Sequence, residues 1–234
     1  MCGFDPQAFA ASRRELRLER FLTPVASREA SRRAVPDGVS GDLRVFAFGS
    51  SMWDPAFRFA KLRRAHAPLH ARRIILKDRF GGRSTAASPG MQAALDHGGG
   101  CDGLAFGFAA QDGSTETEIL SRRETRGAAD HATYIPAETV TGAIRALAFT
   151  ADHGSPAIAG DVPRHEQVRS IATGAGFFGS RLGCLMNIAS GLAALGIEDA
   201  EGASLMRETA DYPGDPHHAA LAAPDPTQQP EGTP

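Results

Sequence analysis

The sequence predicts an α+β domain, and three observations carry that reading. Short apolar or alternating runs of strand length fill the middle of the chain. Segments with apolar residues at helical spacing are fewer and fall mostly late. The two kinds do not alternate regularly, as they would in a parallel βαβ array.

The strands come first. Residues 43–48 are apolar and aromatic and end at Gly49. Residues 72–77 contain Ile74, Ile75 and Leu76, and residues 91–95 form an apolar run closed by Asp96 and a glycine triplet. Residues 103–109 alternate through Leu104, Phe106 and Phe108. Residues 132–138 and 144–151 read as a hairpin turning near Thr141 and Gly142. Helices are expected at three places. Residues 114–124 open with a capping box, Thr115 and Glu118, and bury Ile119 and Leu120. Residues 164–173 present Val168, Ile171 and Ala172 on one side. Residues 182–195 space Leu182, Leu185, Ile188, Ala189, Leu192 and Leu195 helically, and Gly196 ends the run.

A chain of 234 residues favours one domain with flexible ends. We read residues 1–42 as a helical extension and linker, 43–208 as the domain, and 209–234 as a tail. The tail is rich in Pro, Gln, Asp and Ala and cannot bury enough surface to offset its ordering entropy, so disorder is expected. In the extension, Arg13, Arg14, Arg17 and Arg20 interleave with Glu15 and Glu19, which describes a solvated helix face. A net charge of −2 argues against a nucleic-acid partner. No apolar run approaches the ~20 residues of a membrane helix, and no apolar leader is seen, so no membrane insertion is expected. The cysteines, Cys2, Cys101 and Cys184, are odd in number and widely spaced, which predicts reduced thiols, a cytoplasmic location and no structural metal. No cofactor is implied.

The strongest local signal is Val45-Phe46-Ala47-Phe48-Gly49-Ser50-Ser51-Met52-Trp53-Asp54-Pro55, a buried strand running into Gly-Ser-Ser before the only tryptophan. Glycine there lets a backbone approach a ligand closely, and consecutive N–H groups at such a turn can hold a carboxylate or an oxyanion. Taken bare, the pattern is a weak signal, because ordinary strand-ending turns share it.

The stretch resembles the signature of ChaC-type γ-glutamyl cyclotransferases, Val-Phe-x-Tyr-Gly-Ser-Leu-x-Trp-(Asn/Asp)-Pro. Further segments follow in family order: Phe57-Arg58-Phe59-Ala60, Pro89-Gly90, Ala94-Leu95-Asp96, the run Gly98 through Phe106, Leu120-Ser121-Arg122-Arg123-Glu124, Arg145-Ala146-Leu147-Ala148-Phe149, Ala159-Gly160-Asp161-Val162-Pro163, and Ile171 through Phe177. The resemblance therefore covers residues 43 to 199. It implies a γ-glutamylcyclotransferase-like fold, a small mixed β-barrel surrounded by helices. It also implies a lyase that splits glutathione, a small-molecule substrate, into 5-oxoproline and Cys-Gly. The family's catalytic glutamate falls on Glu124, and the substrate loop on Phe48, Gly49, Ser50, Ser51, Met52 and Trp53. The implied reaction needs no metal and no cofactor. Relatives acting on other γ-glutamyl amines, or binding such a ligand as weakened regulators, are the alternatives.

The chain departs from the pattern at several positions. Phe48 replaces the usual tyrosine, Ser51 replaces leucine, and Arg83-Ser84-Thr85-Ala86-Ala87 stands for Arg-Gly-Thr-Pro-Glu. Arg181-Leu182-Gly183-Cys184-Leu185 stands for Asn-x-(Asp/Glu)-Tyr-Leu, and the tyrosine expected near Ala129 is missing. A ligand group that goes without its polar partner at any of these positions costs roughly 1–3 kcal/mol of recognition.

Other motifs carry less. Met1-Cys2-Gly3 resembles the start of N-terminal-nucleophile amidotransferases, but a charged helical stretch follows. His97-Gly98-Gly99-Gly100 resembles a lipase oxyanion loop, yet the chain has no Gly-x-Ser-x-Gly elbow, and a tight turn between strands is expected. His66 and His70 have helical metal-ligand spacing, but Pro68 lies between them and no third ligand is evident, so partly exposed histidines without a metal are expected.

Overall fold

The computed structural model describes residues 43–55, 57–78, 83–84, 89–109, 112–124, 129–176 and 179–213. The expected N-terminal helix, Cys2 and the tail beyond residue 213 lie outside the described residues.

The first strand, β1 (Arg44–Ala47), is buried at Val45, Phe46 and Ala47, so it has core on both faces. It pairs antiparallel with β5 (Cys101–Gly107), and Val45 meets Leu147 of β7 (Gly142–Ala151) in parallel. Strand β5 continues to β2 (Lys61–Ala67), β2 to β6 (Asp130–Thr139), and β6 to β7. The five strands thus run β1-β5-β2-β6-β7 and return to β1 as a closed barrel, with β4 (Gly90–His97) and β3 (His70–Asp78) continuing from β7 as a flap.

One long bent ribbon joins barrel and flap. Strand β2 pairs with β5 from Lys61↔Gly107 to Ala67↔Cys101, and β3 takes up almost the same register with β4 from His70↔His97 to Asp78↔Gly90. The ribbon turns its corner at Pro68-Leu69 opposite Gly98-Gly99-Gly100. Space there excludes side chains: a Cβ on Gly98 would lie 2.3 Å from the Ala71 Cβ, and Gly100 has φ +139° with the His66 ring close by. The glycine triplet lies between strands as expected, but it is a bend and not a tight turn: β4 and β5 do not pair with each other, and the ribbon passes there from barrel to flap.

A narrow barrel leaves room for few large inward residues. Accordingly, Ala65, Ala67, Ala105, Ala137, Ala146 and Ala148 cluster with Phe46 and Ile135 as one core. The opposite faces carry larger groups. Val45, Phe57, Phe106, Phe108, Leu147 and Phe149 form a second core with Leu120. The Phe57 and Phe106 rings meet edge to face at 5.1 Å.

Leu120 belongs to α1 (Gly113–Glu124), which starts before Thr115. Thr115 therefore lies inside the helix, and the expected capping box is not formed at that position. Three later helices, α2 (Arg164–Thr173), α3 (Arg181–Ala194) and α4 (Ala200–Ala210), pack through Val168, Ile171, Leu185 and Leu205. Ser180 caps α3 through the Gly183 N–H at 3.0 Å, and Asp199 caps α4 through Gly202 at 3.0 Å. Gly196 takes φ +64° just beyond α3, the left-handed conformation that ends a helix.

Strand β2 and helix α4 were not expected from the sequence. His66 and His70 sit on consecutive strands, not on a helix, and His70 is 7% exposed, against the expected partial exposure. Its ring stacks on His97 at 5.8 Å.

Candidate active site

The chain leaves β1 at Ala47 and, after Phe48 and Gly49, closes a 3-10 turn at Ser50–Met52. The N–H of Met52 donates to the Gly49 carbonyl at 2.9 Å, and those of Trp53 and Asp54 donate to Ser50 at 3.3 and 3.0 Å. A helical turn leaves its first amides unused, so the N–H groups of Ser50 and Ser51 are the ones this turn does not consume. A Cβ on Gly49 would meet nothing within 4 Å, so protein packing does not demand glycine there.

Glu124 arrives from the last residue of α1. The Ser51 hydroxyl donates to its Oε1 at 2.8 Å. Arg123 Nε lies 3.3 Å from the same oxygen. Arg123 is itself fixed: Nη1 donates to the Asp54 carbonyl and Nη2 donates to the Ser50 hydroxyl at 2.6 Å. The Arg123 side chain is 6% exposed and that of Glu124 27%, so the arginine forms the buried root and the carboxylate the solvent-reaching tip. Residues 73 positions apart in the chain are thereby locked together.

The loop is held from the other side by Arg72 of β3. Its Nε donates to the Phe48 carbonyl at 2.7 Å, Nη1 to Asp199 at 3.0 Å and Nη2 to the Asp102 carbonyl at 2.9 Å. One guanidinium thus ties the turn after β1 to the cap of α4.

A cavity of about 230 Å³ opens beside these groups. Phe48, Gly49, Ser50, Ser51, Trp53 and Glu124 all line it, whereas Met52 turns away and packs against the outer barrel core. Its facing wall comes from the flap and α3, including Met91, Gln92, Arg181 and Cys184. Arg181 is buried, donates from Nε and Nη2 to the Ser84 hydroxyl at 3.0 and 2.9 Å, and pairs with Asp78. Gly90 and Gly174 make the slot for it, since a Cβ at either would come within 3.1 Å of its side chain. Burial raises the pKa of the Cys184 thiol. A larger cavity, about 570 Å³, lies around Arg72, Asp102 and Asp199, but neither Glu124 nor the Gly49-Ser50-Ser51 turn lines it.

Asp130, the first residue of β6, lines the Glu124 cavity as well. Burial first, then the charges of Glu124 and Asp152, push its pKa up to about 7. The arrangement sets a carboxylate, its hydrogen-bonding hydroxyl, unused turn amides and a second, readily protonated carboxyl around one space. Among the described residues, no cluster of three or more His, Cys, Asp or Glu is placed to hold a metal ion.

Sequence reasoning missed Arg72, Arg123 and Asp130 as site groups. Arg123 had a signal, its place beside Glu124. Arg72 and Asp130 had none, because only the folded ribbon and hairpin bring them to the loop.

Residues 43–210 match the family model described as ChaC-like protein. The glutathione-specific gamma-glutamylcyclotransferase 1 of Rattus norvegicus is 29% identical over 175 residues, covering 71% of this chain and 78% of the rat protein. The glutathione-specific gamma-glutamylcyclotransferase of Escherichia coli K12 is 27% identical over 175 residues, covering 74% of each chain. Among solved structures, a yeast γ-glutamyl cyclotransferase specific to glutathione aligns with a TM-score of 0.68 at 16% identity, over 74% of this chain and 97% of that one, which shows the shared fold. The chain belongs to the ChaC-like protein family.

Proposed function

We propose that this protein is a cytoplasmic lyase that cleaves glutathione to 5-oxoproline and cysteinylglycine, with residues 43–208 as its catalytic unit. The observation that carries this reading is the 2.8 Å hydrogen bond from Ser51 to Glu124, which joins the turn after β1 to a carboxylate at the rim of one cavity. The names of the relatives supply the substrate class. The free thiols of Cys101 and Cys184 are consistent with a reducing compartment.

The α-amine and the γ-carbonyl carbon belong to the same molecule. Held in the cavity, the nitrogen attacks that carbon and closes a five-membered lactam. Well-oriented intramolecular attack is worth on the order of 7–11 kcal/mol of barrier. Glu124 takes a proton from the attacking nitrogen and returns it to the departing cysteinyl nitrogen as the C–N bond breaks. The Ser50 and Ser51 N–H groups face the developing oxyanion or the glutamyl carboxylate. Phe48 and Trp53 wall the glutamyl end, and Met52 supports the turn from the core side. No water enters the bond-breaking step.

Product analysis in ¹⁸O-labelled water tests this directly. Unlabelled 5-oxoproline is expected, with no free glutamate. Glutamate carrying ¹⁸O would mean hydrolysis and would overturn the reading. A second reading, cyclotransfer on other γ-glutamyl amines, is favoured by Phe48 and Cys184, where the family pattern carries tyrosines. The same assay with γ-glutamyl amines in place of glutathione decides between them. Tight binding of a γ-glutamyl ligand without product would instead mark a regulatory relative.

A further inference from the structure

The proposed reaction moves two protons, and Glu124 can hold only one at a time. An α-ammonium carries three N–H bonds and the lactam nitrogen of 5-oxoproline keeps one. The departing nitrogen gains one proton to leave as an amine and a second to become an ammonium. Two protons therefore cross from one nitrogen to the other, and none is consumed.

We propose that Asp130 is the second proton carrier of this site, taking the first proton from the substrate ammonium so that Glu124 is free for the second. The inference rests on the cyclotransferase reading and adds a residue to it. Asp130 and Glu124 line the same cavity, one at the start of β6 and the other at the end of α1. Among the described residues no hydrogen bond or ion pair is seen at the Asp130 carboxylate, whereas Glu124 is held by Ser51 and Arg123. The groups bearing on Asp130 are acidic: Glu124 from α1, and Asp152 just beyond β7, which lies 3.1 Å from His131. The cations of the cavity, Lys77, Arg83, Arg123 and the Asp78-paired Arg181, are not among the groups that shift it. A carboxyl that gains a proton near pH 7 is matched to an α-amine, whose pKa is about 8.

The steps balance. Ionised Asp130 accepts a proton from the ammonium, and the freed amine attacks the γ-carbonyl carbon. Glu124 takes the second proton from the nitrogen of the tetrahedral adduct and gives it to the leaving nitrogen, and the C–N bond breaks. Asp130 then returns its proton to the cysteinylglycine amine, and both carboxylates are restored.

The test is the pH profile of kcat/KM for full-length wild type, Asp130→Asn and Asp130→Glu with glutathione. Without Asp130 the ammonium must lose its proton to solvent. Asp130→Asn is therefore expected to fall tenfold or more at pH 7 and to come within threefold of wild type near pH 9.5. Asp130→Glu should recover most of the activity at pH 7. An unchanged rate, or a loss of equal size at every pH, overturns the proposal. Should the variant not fold, ¹³C-labelled aspartate in the wild-type protein gives a second readout. A carboxyl titrating near pH 7 that moves lower in Glu124→Gln is expected, and aspartates all titrating below pH 5 would overturn it. Wild type that makes no 5-oxoproline at any pH sinks the cyclotransferase reading instead, and the titration still reads the carboxyl pair by itself.

Discussion

Replacing Arg123 by methionine tests how the site is assembled. The substitution keeps most of the aliphatic stem and removes the guanidinium. With it go the donation to the Asp54 carbonyl, the 2.6 Å bond to the Ser50 hydroxyl, and the 3.3 Å approach to Glu124. The Ser50 hydroxyl lines the cavity and can turn to water, so its share is small. The Asp54 carbonyl belongs to a residue only 1% exposed, and losing a buried hydrogen bond from a charged donor costs roughly 1.5–3 kcal/mol. The Glu124 approach adds less, because that carboxylate reaches solvent. A total of about 2 kcal/mol corresponds to a drop in Tm of about 4–8 °C for a domain of this size. Thermal denaturation followed by circular dichroism measures it, and 5-oxoproline release should fall at least tenfold in the same protein. A Tm within 1 °C of wild type would refute the claim that Arg123 anchors the turn.

Three further outcomes are expected. Ser51→Ala removes the hydroxyl that orients Glu124, and at about 1.5 kcal/mol for a bond to a charged group the loss in kcat is about tenfold; a wild-type kcat would mean that Glu124 is placed without it. Gly98→Ala forces a Cβ to within 2.3 Å of Ala71 at the ribbon corner and should cost roughly 1–3 kcal/mol in urea unfolding, whereas Gly49→Ala meets nothing and should leave stability unchanged while lowering activity. Asp130 also carries a stability signature. Its pKa is raised in the folded protein from 3.8 to about 7, so the native state binds more protons than the unfolded state between those values, and stability falls as pH rises through them. Asp130→Asn should therefore be more stable than wild type at pH 8, by on the order of 4 kcal/mol, with the gap closing toward pH 4; a gap that does not change with pH would contradict the raised pKa.

Much of the fold was legible because its strands and helices are periodic. The Ile144-to-Ala151 run alternates between barrel interior and outer core, and Leu185, Ile188 and Leu192 mark one buried stripe of α3. Strand β2 was not legible. Lys61-Leu62-Arg63-Arg64 is exposed along its length and looks like a basic loop, and only its pairing with β5 makes it a strand. Helix α4 was hidden by Gly202 in its first turn, although Asp199 offered a capping signal. The glycine triplet read as a turn, but that it bends one ribbon from barrel to flap depends on a register spanning residues 61 to 107. The site divides in the same way. Gly49, Ser50, Ser51 and Glu124 stand in contiguous motifs, and the fold brings the Ser51 hydroxyl onto the Glu124 carboxylate. Arg72 and Asp130 act across distances that no local spacing encodes, and Met52 points away because a tight turn sends one of its side chains to the core.

The role proposed for the Glu124 carboxylate is to carry a proton between two nitrogens of one bound molecule. Steady-state release of 5-oxoproline from glutathione by Glu124→Gln, a change that keeps the shape and removes the base, addresses it most directly. A fall in kcat of about 10²–10⁴ with Tm preserved is expected. A folded variant turning over at the wild-type rate would contradict it.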